Sequence, residues 1–157
     1  MRMPLAYAVF CSTLALPGCT QPSSAETGAS SNAMAACHEE ASALAAAYAC
    51  EEAAANDMLG QVDAAFAKAL DAAITEDASY SSVMSRKNEP VDPKFLVAPA
   101  LKQAQEGWLQ YLKNQCRAEG ETRHGGSGTD SINSLCRYRL AKQRLAELET
   151  TISLIQR

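Results

Sequence analysis

Four cysteines in the body of the chain restrict its fold more than any other feature of the sequence. They are Cys37, Cys50, Cys116 and Cys136. An even number of cysteines in an exported chain indicates two disulfides, and four cysteines allow three ways of pairing. Any fold for this chain must therefore bring the four sulfurs together in two pairs.

The N-terminus has the anatomy of an export signal. Arg2 supplies a positive charge, residues 5–16 form an apolar stretch, and Leu16-Pro17-Gly18-Cys19 follows. An apolar stretch this short cannot span a bilayer, which takes about 20 residues. The pattern leucine, any residue, glycine, cysteine resembles a bacterial lipobox, so we expect a lipoprotein signal peptide over 1–18 and lipidation of Cys19. An ordinary cleaved secretory signal is the alternative.

The remaining chain divides into a short tether and one domain. Residues 19–36 are rich in Ser, Ala, Thr and Gly, include Pro22 and lack an apolar period, which predicts a flexible tether. Residues 37–157 suffice for one domain and are too few for a convincing second. The chain carries 14 Lys and Arg against 18 Asp and Glu, and no basic cluster is interleaved with aromatics, so we expect no nucleic-acid partner.

The spacing of apolar residues predicts three helices. Residues 37–74 are dense in good helix formers, residues 97–116 tolerate Pro99 in a first turn, and a last helix begins after an N-cap at Thr129 or Asp130. Segments 77–93 and 119–130 are predicted as loops. The expected fold is all-α, a three-helix up-down-up bundle stapled by two disulfides. The expected buried stripes are Leu44, Tyr48, Ala55, Leu59, Val62, Phe66, Leu70 and Ala73; then Leu101, Ala104, Trp108, Tyr111 and Leu112; then Ile132, Leu135, Leu140, Leu145, Leu148, Ile152 and Ile155.

The helices limit how the cysteines pair. Cys116–Cys136 closes the segment between consecutive helices and is the pair we expect first. Thirteen residues of unbroken helix would separate Cys37 from Cys50 by ~20 Å, whereas a disulfide needs Cα atoms within ~7 Å. That bridge requires the chain after Cys37 to leave the helix and fold back, which we favour. With an unbroken helix, Cys50 pairs with Cys116 or Cys136 instead.

A family resemblance is carried by the second half of the chain. The elements in order are Ala104-Gln105, Trp108, Tyr111, Cys116, Gly125-Gly126-Ser127, Cys136, and Arg144 followed by Leu148. Over residues 101–149 this pattern resembles the small exported helical domain of the lysozyme inhibitor LprI family, and Cys37 and Cys50 stand at matching places. The resemblance implies an inhibitor that binds a lysozyme and occludes its active cleft.

Candidate functional residues lie in the segment between the last two cysteines. It carries Glu119, Glu121, Arg123, His124, Ser127 and Asp130, and a stapled loop of this kind suits insertion into a partner's cleft. Gln105, Trp108, Tyr111 and Arg144 are interpreted as structural residues of the family pattern.

Catalysis finds little support in the sequence. Neither His38 nor His124 has a recognisable nucleophile motif beside it, and Cys37-His38-Glu39-Glu40 lacks a zinc-ligand spacing. We therefore expect no enzyme, no metal and no cofactor.

The sequence is compatible with two functions. The first is a bacterial cell-envelope lipoprotein, facing the periplasm or the exterior, that inhibits lysozyme. The second is a structural or adaptor lipoprotein whose helical face docks another envelope protein, and an exposed apolar stripe on the first helix would favour it. Without a lipid anchor, either protein would be secreted.

Overall fold

The computed structural model describes residues 28–157. Four α-helices follow one another: α1 (Gly28–Glu40), α2 (Leu44–Arg86), α3 (Val97–Glu121) and α4 (Thr129–Ile155), with a single 3₁₀ turn at Pro93–Phe95 before α3. The described residues contain no strand, so the all-α prediction is confirmed, while the count of three helices is wrong. The predicted signal peptide, the lipidation site at Cys19 and the start of the tether lie outside the described residues.

The extra helix is α1, which begins inside the segment predicted to be a flexible tether. Met34 is buried and packs with Ala55 of α2 and Tyr138 of α4. That burial orders a segment whose own sequence has no apolar period, and no proline interrupts it. Among the described residues, helical structure is therefore present from Gly28, ahead of the predicted domain boundary at Cys37.

The fold-back required by a Cys37–Cys50 disulfide is confirmed. Helix α1 ends at Glu40, and Ala43 has an extended backbone (φ −151°, ψ 152°) before α2 begins at Leu44. This break brings the two Cα atoms to 5.5 Å. The second disulfide joins Cys116 to Cys136 with Cα atoms 5.4 Å apart, as expected.

Helix α2 is longer than predicted because its serine-rich end stays helical. The hydroxyl of Ser81 donates to the backbone oxygen of Asp77 (2.8 Å), and Arg86 donates to the hydroxyl of Ser82 (2.8 Å). Serines satisfied in this way cost a helix little. No proline lies in α2, and its one glycine, Gly60, is far from the serine-rich end. The loop predicted over 77–93 begins only after Arg86, where Asn88 takes a left-handed conformation (φ 54°).

Helices α2, α3 and α4 alternate in direction and form the core. The carboxylate of Asp77, late in α2, accepts the backbone N–H groups of Val97 and Ala98 at the start of α3. Arg137 near the start of α4 hydrogen-bonds Asn56 in the first half of α2. Between the helices, small α2 residues pack against larger residues of α3 and α4; the buried cluster comprises Val62, Ala65, Ala69, Ala73, Ala98, Leu101, Ala141 and Leu148.

Four residues of the predicted buried stripes lie on the outside. Leu44 is 58% exposed, Tyr111 52% and Leu135 40%, and Ala104 is also exposed. On α3, Gln105 is buried in place of the predicted Ala104, and Leu112 is buried while Tyr111 is exposed. The buried face therefore continues to Cys116. The disulfide at Cys136 likewise orients α4 so that Ser134 and Tyr138 are buried in place of Leu135. None of the described helices is long and apolar enough to cross a membrane.

Candidate functional site

A tight loop connects α3 to α4 at the disulfide end of the molecule. It spans residues 122–128, because the helices continue further at both sides than the predicted loop over 119–130. His124 (φ 50°), Gly125 (φ 73°) and Gly128 (φ 98°) have left-handed backbones. Gly128 is the N-cap of α4 in place of the predicted Thr129 or Asp130, and no side chain caps this end.

Glycine is required at Gly126 for a different reason. A Cβ atom there would lie 2.9 Å from the backbone oxygen of Arg123. That oxygen accepts the N–H of Gly126 (2.8 Å), and the N–H of His124 reaches the oxygen of Glu121 (2.9 Å). The loop therefore has its own internal hydrogen bonds, while residues 122–127 remain exposed.

The base of this loop is fixed by a disulfide, by hydrogen bonds to Glu119 and by close packing of Gly120. The Cys116–Cys136 disulfide is buried. Arg139 of α4 donates to the carboxylate of Glu119 on α3 (2.8 Å), and Gln115 donates to the same oxygen (2.9 Å). The hydrogen bond from Gln115, followed by the hydrogen bond and charge of Arg139, lowers the pKa of Glu119 despite partial desolvation. Gly120 packs so closely on α4 that a Cβ would lie 3.3 Å from the backbone oxygen of Thr129.

The six residues predicted to contact a partner differ in exposure and in their side-chain contacts. Glu119 is half-buried and engaged by Gln115 and Arg139. The others are exposed: Glu121, Arg123, His124, Ser127 and Asp130. Asp130 lies in the first turn of α4, where its negative charge is favourable. Five of the six candidates thus surround one exposed loop, and the sixth belongs to its base.

The residues of the family pattern lie further along the bundle. Arg144 donates through Nε to Oε1 of Gln105 (3.1 Å) and through Nη1 to Glu147 (3.1 Å). Its guanidinium lies 6.0 Å from the ring centroid of Trp108. That ring packs against the buried cluster between the helices and against a second cluster of Leu112, Cys116, Cys136 and Leu140. These contacts join α3 to α4 about 20 Å from Glu119 along the helix axis. Tyr111 is exposed and takes no part in them.

A partly buried polar pair, which the sequence expectations did not include, joins α1 to α2. Nε2 of His38 lies 2.6 Å from Oε1 of Glu51, whose side chain is fully buried. His38 and Glu51 each follow a cysteine of the first disulfide. The pairing of Cys37 with Cys50 would have pointed to this contact.

A polar groove lies beside the loop, between the first turns of α2 and the start of α4. Its volume is about 460 Å³. Because Ala45 and Ala49 are small, they leave space between the helices. The remaining lining residues are Tyr48, Glu52, Asp130, Asn133, Ser134 and Arg137. No spacing in the sequence indicates this groove, because it depends on how α2 and α4 align.

The described residues hold no group of three or more His, Cys, Asp or Glu side chains placed to bind a metal ion. His38 contacts Glu51, and His124 lies exposed in the loop.

Comparison with protein-family models gives a match over most of the chain. A family model described as lysozyme inhibitor LprI matches residues 19–148. The match covers the loop, the groove and all four cysteines, and extends well beyond the segment that carried the resemblance. No curated protein and no solved structure matches the chain.

Proposed function

The chain belongs to the lysozyme inhibitor LprI family, and from this premise we propose that it is a cell-envelope lipoprotein that binds a lysozyme and occludes its active cleft. The inhibitory segment is the loop at 122–128 with its flanking residues Glu121 and Asp130. The observation that carries the proposal is the contrast between the fixed base of this loop and its exposed tip.

Such a loop is suited to a cleft. Because the disulfide and the Glu119–Arg139 ion pair hold its base, little conformational freedom is lost when it binds. The carboxylates of Glu121 and Asp130 complement the positive surface of a cationic lysozyme. Arg123 offers a positive charge to the two catalytic carboxyl groups that a lysozyme cleft contains, and Ser127 offers a hydrogen bond.

The lipid anchor of this proposal is Cys19. The sequence Leu16-Pro17-Gly18-Cys19 and the start of the family match at residue 19 support it. We place the protein in the bacterial envelope, facing the periplasm or the exterior. Mass spectrometry of the mature protein tests this, because lipidation adds the mass of acyl chains to a peptide that starts at Cys19.

The adaptor alternative has less support. It calls for an exposed apolar stripe on the long helix, whereas the large exposed apolar residues of α2 in the described chain are Leu44, Ile74 and Val83. Leu44 and Ile74 are ~45 Å apart along the axis, so these residues form no continuous face. The family consists of inhibitors, which also favours a protein that acts by binding rather than by catalysis.

The test is capture of the mature protein on an immobilised cationic lysozyme, with a bacterial lysis assay beside it. We expect retention at low salt, release at high salt and slower lysis in the presence of the protein. Absence of binding at low salt would overturn the inhibitor proposal. Binding that leaves lysis unchanged would overturn occlusion of the cleft.

A further inference from the structure

Charge is distributed very unevenly along the described chain. Residues 28–67, which form α1 and the first half of α2, contain six Asp and Glu and no Lys or Arg. Residues 68–157 contain 11 Asp and Glu against 13 Lys and Arg. Glu51 is buried, and the other five carboxylates are exposed: Glu39, Glu40, Glu52, Asp57 and Asp63. The acidity of the protein is thus concentrated in this first part of the described chain.

The groove lies where this acidic segment meets α4. Glu52 of α2 and Asp130 of α4 place carboxylates in its lining, and neither makes an ion pair with another described residue. Arg137, the one cation in the lining, donates to the side-chain oxygen of Asn56. Tyr48 adds a half-buried aromatic ring. Two carboxylates and an aromatic ring are the groups that commonly bind a cationic side chain.

The groove also adjoins the proposed inhibitory loop. Asp130 belongs to both, and a Cβ at Gly128 would lie 3.9 Å from the hydroxyl of Tyr48. A partner seated on the loop would therefore cover the groove as well.

We propose that this groove receives a basic side chain, Arg or Lys, from the surface of the bound lysozyme. The inference rests on the proposed function for the identity of the partner. The loop then contacts the catalytic cleft, and the groove binds a positive residue on the rim of that cleft. The surrounding acidic surface of α1 and α2 draws a cationic partner toward this end of the molecule.

The chain offers a matched pair of charge variants. Glu52→Gln removes a carboxylate from this groove, and Glu76→Gln removes one from another groove of α2, which lies beside the end of α4. Both glutamates are exposed and both variants change the net charge equally. We expect E52Q to weaken lysozyme binding about 10-fold at low salt and E76Q to leave it within about 2-fold.

A second pair tests occupancy of the groove without changing charge. Ala45→Leu fills part of the groove, and Ala78→Leu places the same side chain at an exposed position elsewhere on α2. We expect A45L to weaken binding and A78L to preserve it. If the wild type binds and inhibits lysozyme while E52Q and A45L match their controls, the groove inference is overturned and the proposed function stands.

A peptide probe tests the groove in the case where the protein binds no lysozyme. If the wild type binds no lysozyme, the proposed function is overturned, and the groove is then tested with a tri-arginine peptide by NMR. Shifts of the Asn133 and Ser134 amides that disappear in E52Q support a site for basic side chains. Unchanged amides, or equal shifts in E52Q, overturn it.

Discussion

Nε2 of His38 lies at a hydrogen-bond distance of 2.6 Å from Oε1 of Glu51, whose carboxyl group is fully buried between the first two helices. The two residues directly follow Cys37 and Cys50, so α1 is tied to α2 by a covalent and a polar link side by side. The second oxygen of Glu51 has no hydrogen-bond partner among the described residues. His38 is therefore the group on which this buried carboxylate depends.

Removing that partner should destabilise the protein. In His38→Ala the carboxylate of Glu51 stays buried with no partner, and we expect the free energy of unfolding to fall by about 2 kcal/mol. Glu39→Ala changes an exposed neighbour on the same helix and should cost less than about 0.5 kcal/mol. Urea denaturation of both variants measures the difference, and equal midpoints would show that the contact contributes nothing.

The two disulfides should have separable effects. Replacing Cys37 and Cys50 by Ala frees α1, so we expect faster amide exchange over residues 28–40 with the loop unchanged. Replacing Cys116 and Cys136 by Ala should instead raise exchange around residues 116–136 and weaken lysozyme binding. Each loss should cost about 3 kcal/mol. Hydrogen-exchange mass spectrometry measures both, and identical exchange patterns would contradict the separation.

Asp77 is expected to fix the start of α3. Its two oxygens accept the N–H groups of Val97 (2.7 Å) and Ala98 (2.9 Å), which lack partners within their own helix. Asp77→Ala should lower the free energy of unfolding by about 1–2 kcal/mol, as for other lost caps. Asp71→Ala, an exposed site on the same helix, serves as control. Thermal denaturation that ranks the two variants equally would disprove the cap.

Stability should depend on Glu119 in acid. Hydrogen bonding by Gln115 and the charge of Arg139 lower its pKa below the usual 4.5. The stability it contributes is therefore fully present above pH 4.5 and is lost as the pH falls through the lower folded pKa. Glu119→Gln should be less stable than the wild type at neutral pH and approach it in acid. The exposed Glu121→Gln gives the reference curve, and a constant gap between E119Q and wild type from neutral pH into acid would refute this.

Some elements followed from the sequence because their signals are local. Pro99, which a first helical turn tolerates, marked the start of α3, and the glycines between Cys116 and Cys136 marked the loop. The serines at 79–85 suggested a loop. Serine opposes a helix only weakly, however, and here the hydroxyl of Ser81 donates to a backbone oxygen of the helix itself. Local patterns therefore predicted which helices and loops exist more accurately than they predicted where each helix ends.

Other features depend on tertiary contacts. Helix α1 is ordered by the burial of Met34 against Tyr138, more than 100 residues away in sequence. The groove depends on the alignment of Tyr48 and Glu52 with Asp130, which no spacing in either helix reveals. The contact between His38 and Glu51 could have been predicted from the sequence, because each residue directly follows a cysteine of the first disulfide.

The central claim is tested most directly by the inhibition constant of the mature protein against a cationic lysozyme at low salt. Arg123→Ala removes the charge at the loop tip, and Arg117→Ala removes an exposed arginine from α3 as control. We expect inhibition by the wild type, a loss of about 10-fold or more in R123A and little change in R117A. Absence of inhibition by the wild type, or equal inhibition by both variants, would contradict it.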